Sequence, residues 1–160
     1  MNKREVMAML DAEGIAYEKV EHDPVYTIDE MLALGLPHVE AIAKNLFVHD
    51  DKKQRYYLIT VKEEKRVDLK DFKARFGTRR LSFASEEELN RILGLARGSV
   101  TPFGILNDEE RQVTVYFDDD FRGRLMGIHP NENTATVYVK TEDVARLITA
   151  HGNELNFARF

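Results

Sequence analysis

The sequence predicts a mixed α/β fold, α+β-like, with a mixed, largely antiparallel sheet packed by helices. Three observations predict it. Helix start and stop signals alternate with strand-like runs along the whole chain. Several neighbouring strands are joined by turns too short for a crossover, so those pairs must run antiparallel. No repeat, low-complexity tract or linker divides the 160 residues, the usual length of one domain, so a single domain spanning 1–160 is expected.

The elements follow in order. Asn2 with Glu5 three residues later reads as a capping box; Val6, Met9 and Leu10 supply an apolar stripe and Gly14 the stop. Ile15 to Val20 alternates as a short strand does. Thr27 with Glu30 starts a second helix, ended by Gly35. Asn45 to His49 and Tyr56 to Val61 read as a hairpin about the polar turn Asp50 to Lys53. Asp68 caps a helix through Phe76 that Gly77 ends, Leu81 to Phe83 is a short strand, and Ser85 with Glu88 starts a helix ending near Gly94. Arg97 to Gly104 holds two glycines and a proline and is irregular. Val113 to Phe117 is a strand, Asp118 to Asp120 a solvated hairpin turn, and Leu125 to Ile128 and Thr134 to Lys140 two further strands. Thr141 caps a last helix, Glu142 to about His151, closed by Gly152.

Composition narrows function. A chain of this length buries roughly 70% of its unfolded surface without staples. Cysteine is absent, which excludes disulfides, thiolate metal sites and cysteine nucleophiles. No apolar run reaches signal-peptide or membrane length, so the cytoplasm is the expected location and no membrane partner is expected. The net charge of −5 argues against a protein that coats DNA or any nucleic acid without specificity. One stretch, Lys62 to Arg80, is nonetheless locally basic; it reads either as a solvated helix of mixed charge or as a face for phosphates.

Familiar catalytic motifs are missing. The five histidines, His22, His38, His49, His129 and His151, show no metal-ligand spacing, so no metal and no cofactor are expected. There is no Gly-x-Ser-x-Gly elbow, no phosphate-binding Gly-x-x-x-x-Gly-Lys loop and no strand-linked Gly-x-Gly-x-x-Gly. Three unusual segments remain. Lys44 and Asn45 sit at the mouth of an apolar strand. Gly98-Ser99-Val100-Thr101-Pro102-Phe103-Gly104 can aim backbone N–H groups at one spot, which suits a developing oxyanion. His129-Pro130-x-x-Asn133-Thr134 offers polar side chains beside a strand. Each also has a plain structural reading: a surface lysine, a tight connection and a satisfied turn.

Taken together, these segments resemble the bacterial prolyl-tRNA editing domain family, also called YbaK-like, and within it the free-standing proteins that remove alanine from proline tRNA. The stretches that carry the resemblance are KNLFVHDDKKQRYYLIT, VDLKDF, LSFASEEELNRILGLARGSVTPFGILND and HPNENTATVYVKTEDVARLI. It covers nearly the whole chain from His22 onward. The resemblance implies metal-free ester hydrolysis of a mischarged aminoacyl-tRNA, most simply Ala-tRNA(Pro). It implies catalytic roles for Lys44, Gly104 and His129. It places His22, Asn45, Gly98, Ser99, Val100, Thr101, Pro102, Phe103, Ile128, Asn133 and Thr134 around the substrate, with Val100, Phe103 and Ile128 as the wall that excludes proline. The implied partners are the acceptor end of the tRNA and a transient contact with prolyl-tRNA synthetase; Lys70, Lys73, Arg79 and Arg80 of the basic segment are expected to hold the tRNA. Alternatives are a deacylase for Cys-tRNA(Pro) or another mischarged tRNA, a non-catalytic tRNA- or synthetase-binding module, and a hydrolase of small esters. Neither Ser99 nor Thr101 has a sequence-visible base partner, so neither is expected to attack.

Overall fold

The computed structural model describes residues 1–160, with the side chain of Ile28 outside the description. In chain order the elements are α1 (Lys3–Ala12), β1 (Tyr17–Glu21), α2 (Ile28–Ala33), β2 (Ala43–Asp50), β3 (Tyr56–Lys62), α3 (Leu69–Phe76), β4 (Leu81–Phe83), α4 (Glu86–Glu88, running into a π-helical turn Leu89–Leu93), β5 (Val113–Asp118), β6 (Leu125–Ile128), β7 (Ala135–Lys140), α5 (Thr141–His151) and β8 (Leu155–Ala158). The capping boxes at Asn2/Glu5 and Ser85/Glu88 are complete, each cap side chain accepting from the third helical N–H and the glutamate answering. Thr27 accepts from Glu30 N, and the Thr27 hydroxyl bonds the Glu30 carboxylate, so that box is only half formed.

The strands make two sheets rather than one. A three-stranded antiparallel sheet has the order β1-β7-β6, and a five-stranded mixed sheet the order β4-β2-β3-β5-β8. The β2–β3 hairpin is antiparallel as expected, but β3–β5 and β5–β8 are parallel, the first joined through α3, β4 and α4 and the second through β6, β7 and α5. Strand β3 explains the layering. Its seven residues are all buried, and they alternate: Tyr56 and Leu58 face the core that both sheets share, while Tyr57, Ile59 and Val61 face a second cluster closed by Phe72 of α3. The shared core collects Leu10 of α1, Phe117 of β5, Val137 and Val139 of β7, and Ile148 of α5. Behind the three-stranded sheet, Tyr138 packs with Val25, Met31 of α2 and Ile42.

Several expectations are corrected. Asp118 is not part of a solvated hairpin turn; it is fully buried, accepts from the Lys62 N–H and the Lys65 ammonium, and anchors the end of β5. Thr141 is the first residue of α5 rather than its cap, and its hydroxyl donates to the Arg124 carbonyl. Pro102–Asn107 is a 3-10 helix, with proline in its first turn and Thr101 as its cap. Strand β8 was not anticipated, because Leu155 to Ala158 alternates over only four residues.

Candidate functional site

The two sheets touch through one isolated parallel bridge, Ile42 to Gly127. Gly127 is a packing requirement: a Cβ there would lie 2.9 Å from Tyr138 Cε1 and 3.4 Å from the Ala41 carbonyl. Above this seam opens a cavity of about 190 Å³. Ligand clefts generally run from about 300 Å³ upward, so this one suits a small group. Segments remote in sequence build it: Val25, Tyr26, Thr27 and Met31; Ile42, Ala43, Lys44 and Asn45; Gly98 and Val100; Gly127, Ile128 and His129; and Thr136. The deep residues Val25, Met31, Ile42 and Ile128 are buried and apolar.

The polar groups are held in place. Asn45 lies opposite Thr60 in the β2–β3 register, and the Thr60 hydroxyl donates to Asn45 Oδ1 at 2.6 Å. That bond fixes the amide so that its nitrogen is the free end. Lys44 is half-buried, and its ammonium donates to the Lys65 carbonyl. His129 Nδ1 lies 2.9 Å from the Ala135 carbonyl, so Nδ1 carries the proton and Nε2 of the neutral ring is an acceptor. Burial pushes the His129 pKa below the ordinary histidine value, against the pull of the Ala135 carbonyl, and the nearby His22 adds to the lowering. Thr101 is fully buried and donates to the His129 carbonyl at 2.6 Å, tying the glycine loop to the histidine.

The loop itself turns at Gly98, whose φ is +84°. A Cβ there would meet Tyr26 Cδ1 at 2.8 Å, so the tyrosine ring lies directly over the glycine. The Ser99 N–H is engaged with the Ala96 carbonyl, whereas the N–H groups of Gly98 and Val100 have no partner among the described residues.

Of the residues expected around the substrate, Lys44, Asn45, Gly98, Val100, Ile128 and His129 line this cavity. Others support it. His22 Nε2 meets the Thr136 hydroxyl at 2.9 Å, and its ring centroid lies 6.0 Å from that of His129. Asn133 donates to the Val25 carbonyl and steadies the rim beside Tyr26. The rest lie elsewhere. Phe103 and Gly104 sit in the 3-10 helix and belong to the core, where a Cβ on Gly104 would run into Leu95 Cδ1 at 2.5 Å. Phe103 is therefore not a cavity wall, and the cavity does not reach Gly104. Ser99 and Pro102 are likewise buried away from it, and Thr134 accepts from the Lys3 ammonium and from the His22 N–H.

The basic segment divides. Lys62 is buried and donates to the Glu40 carbonyl, and Lys65 pairs with Asp118 and Asp120. Arg79 makes a two-pronged bond to Asp51. Lys70, Lys73 and Arg80 border a separate groove between α3 and β4, with no ion-pair partner among the described residues.

Sequence reasoning missed Tyr26, Met31, Gly127 and Thr136. Gly127 carried a readable signal, a glycine inside an apolar strand, which marks close backbone approach. Tyr26, two residues after Pro24 and just ahead of a helix start, carried none. Among the described residues no group of three His, Asp or Glu side chains is placed to hold a metal, and no helix is long and apolar enough to cross a membrane.

Comparison with known proteins shows the family of the chain. Residues 22–147 match the model of the aminoacyl-tRNA editing domain. The chain is 44% identical over 152 residues to the prolyl-tRNA editing protein ProX of Acetoanaerobium sticklandii, covering 94% of this chain and 93% of that protein. It is 32% identical over 167 residues to the prolyl-tRNA synthetase associated domain-containing protein 1 of Mus musculus, covering 97% and 96%. A crystal structure described as a candidate trans-editing enzyme for prolyl tRNA synthetase superposes with a TM-score of 0.72 at 25% identity, covering 98% and 94% of the two chains.

Proposed function

We propose, from the premise that this chain belongs to the aminoacyl-tRNA editing domain family and is an aminoacyl-tRNA deacylase, that it clears mischarged proline tRNA in trans and that its preferred substrate is Ala-tRNA(Pro). The observation that supports this reading is the size and wall chemistry of the seam cavity. It is small, apolar at depth and polar at its mouth, with Lys44, Asn45 and His129 all bordering it. A synthetase that must accept proline gains only about 1–3 kcal/mol per methylene against alanine. A second site that admits alanine and excludes the larger ring supplies the missing discrimination. Val100 and Ile128 act as that wall, with Met31 in the place expected of Phe103.

The ester is already activated, so the protein need only position it, place a water and stabilise charge. Water attacks the carbonyl carbon, the bond to the ribose oxygen breaks, and that oxygen leaves as a hydroxyl while the amino acid departs as a carboxylate. One proton of the water passes to the leaving ribose oxygen, assisted by the neighbouring ribose hydroxyl, and the other is released to solvent as the carboxylic acid ionises. The oxyanion meets the free amide nitrogen of Asn45 and the unengaged N–H groups of Gly98 and Val100. Lys44 exchanges the Lys65 carbonyl for the substrate and adds positive charge at the same mouth. His129, held neutral, accepts through Nε2 from the α-ammonium group or the ribose hydroxyl and orients the substrate. Lys70, Lys73 and Arg80 hold the acceptor stem through its phosphates. No metal takes part in this scheme.

The test is deacylation of alanyl-, cysteinyl- and seryl-tRNA at equal concentration. Faster loss of alanine from tRNA(Pro) than of the other acyl groups is expected. Preference for cysteine would move the chain to the sister specificity, and binding without hydrolysis of any of them would overturn the catalytic reading.

A further inference from the structure

A second cleft, of about 320 Å³, lies against the first and shares Asn45, Gly98 and Val100 with it. We infer that this cleft receives the base of the terminal nucleoside of the acceptor strand, stacked on Phe83, with Arg97 meeting the adjoining phosphate; the inference rests on the deacylase reading above.

The exposed rings point to it. Two aromatic side chains stand out as strongly exposed, Tyr26 at 67% and Phe83 at 63%, and each borders one of the two cavities that meet at Gly98. Phe83 ends the edge strand β4, opposite Val48. Leu81, two residues earlier on the same face of the pleat, is buried, whereas the Phe83 ring is left in water. Single-stranded nucleic acid is held by stacking on such rings, because every base offers a π face.

The connectivity of the substrate makes the shared wall meaningful. In an aminoacyl nucleoside the acyl group and the base hang from one ribose. Pockets for the two must therefore adjoin, with the ribose at their common edge, which here is Asn45, Gly98 and Val100. The rest of the cleft suits a base and its phosphate. Leu89 and Phe47 make an apolar floor. Arg97 is exposed, borders the cleft and has no carboxylate partner among the described residues. Glu86 also lines the cleft, and its carboxylate can accept from an exocyclic amine, a group that adenine carries.

The experiment compares wild type with Phe83→Ala, Phe83→Trp, Arg97→Ala and Tyr26→Ala. Steady-state deacylation of alanyl-tRNA(Pro) is measured together with NMR titration by adenosine monophosphate. Loss of one stacked base corresponds to a rise in KM of about 5- to 150-fold for Phe83→Ala. The kcat should stay within about twofold, and Phe83→Trp should restore the KM. Arg97→Ala should raise KM and reduce its salt dependence. Adenosine monophosphate should shift the signals of Phe83, Arg97 and Leu89 in the wild type, and those of Arg97 and Leu89 should stay in place in Phe83→Ala. An unchanged KM in Phe83→Ala sinks the assignment, as does equal impairment of the Ala and Trp variants. Nucleotide shifts that vanish in Tyr26→Ala but survive in Phe83→Ala would place the base on the opposite rim. The two readings fail separately: titration at Phe83 without hydrolysis of any aminoacyl-tRNA rejects the deacylase reading alone, and hydrolysis without titration there rejects this cleft alone.

Discussion

Replacing Gly98 by alanine separates two costs that the structure places at one residue. The first is conformational. Gly98 has φ +84°, and an L-residue held in the left-handed region costs about 1–2 kcal/mol. The second is steric. The new methyl would sit 2.8 Å from Tyr26 Cδ1, and the ring, 67% exposed, can swing away. Stability therefore should register mainly the first cost, and catalysis the second. Gly123→Ala is the control: φ there is +71° with nothing within 4 Å of the added carbon, and the residue lies away from both clefts. Both variants should lower Tm by about 2–8 °C, since about 1 kcal/mol moves a chain of this size by 2–4 °C. Only Gly98→Ala should lose activity, by about tenfold to a hundredfold in kcat/KM, the scale of a misplacement near 1 Å. Thermal melts and deacylation kinetics on the same preparations decide it. Wild-type kcat/KM in Gly98→Ala, with the expected loss of Tm, would refute the placement of the substrate against this loop.

Three further outcomes are expected. Lys44→Ala should lower kcat by about a hundredfold or more, the usual loss for one group that meets developing charge, while Tm and circular dichroism stay close to wild type; near-normal turnover would remove Lys44 from the mechanism. Charge reversal at Lys70, Lys73 and Arg80 should raise KM and flatten its dependence on salt, by about 0.7–0.9 in slope for each phosphate no longer neutralised, and an unaltered slope would exclude that groove from tRNA binding. For His129 the folded pKa lies below the ordinary value of about 6.5, so the unfolded chain takes up the proton first as pH falls. Its contribution to stability is fully present above that ordinary value and is lost as pH falls toward the folded value. The stability gap between wild type and His129→Gln, followed by denaturant melts from pH 7 to 5, should therefore narrow; a gap that stays constant would contradict the burial argument.

Much of the architecture was legible because caps and strand runs are local signals. Asn2 with Glu5, Ser85 with Glu88, and Gly77 and Gly94 marked helix ends correctly. Pairing partners were another matter. Short turns fix antiparallel neighbours, but nothing local to Val113 to Phe117 says that it will lie parallel to β3 or that β8 will add beside it. The site was legible in part for a similar reason. Lys44, Gly98 and His129 were visible as unusual residues in unusual places. Which members of the 98–104 loop face the cavity depends on Thr101 capping a 3-10 helix, which turns Phe103 and Gly104 into the core. The reading of Asp118 failed because an acidic run looks solvated until a buried N–H and an ammonium are found to need it.

The Ile42–Gly127 bridge gives the seam cavity an uncommon kind of gauge. Its two jaws belong to different sheets, and the clearance between them is set where one strand edge rests on another. The bearing surface of that joint is the Tyr138 ring, against which Gly127 has no room for even a methyl group. A chain built this way can retune what fits between the jaws by shimming the joint from behind, at Tyr138 or Ala41, leaving every residue that touches the occupant unchanged. The tolerance of the gauge is thus written partly in the core, where a search confined to the cavity walls would not look for it.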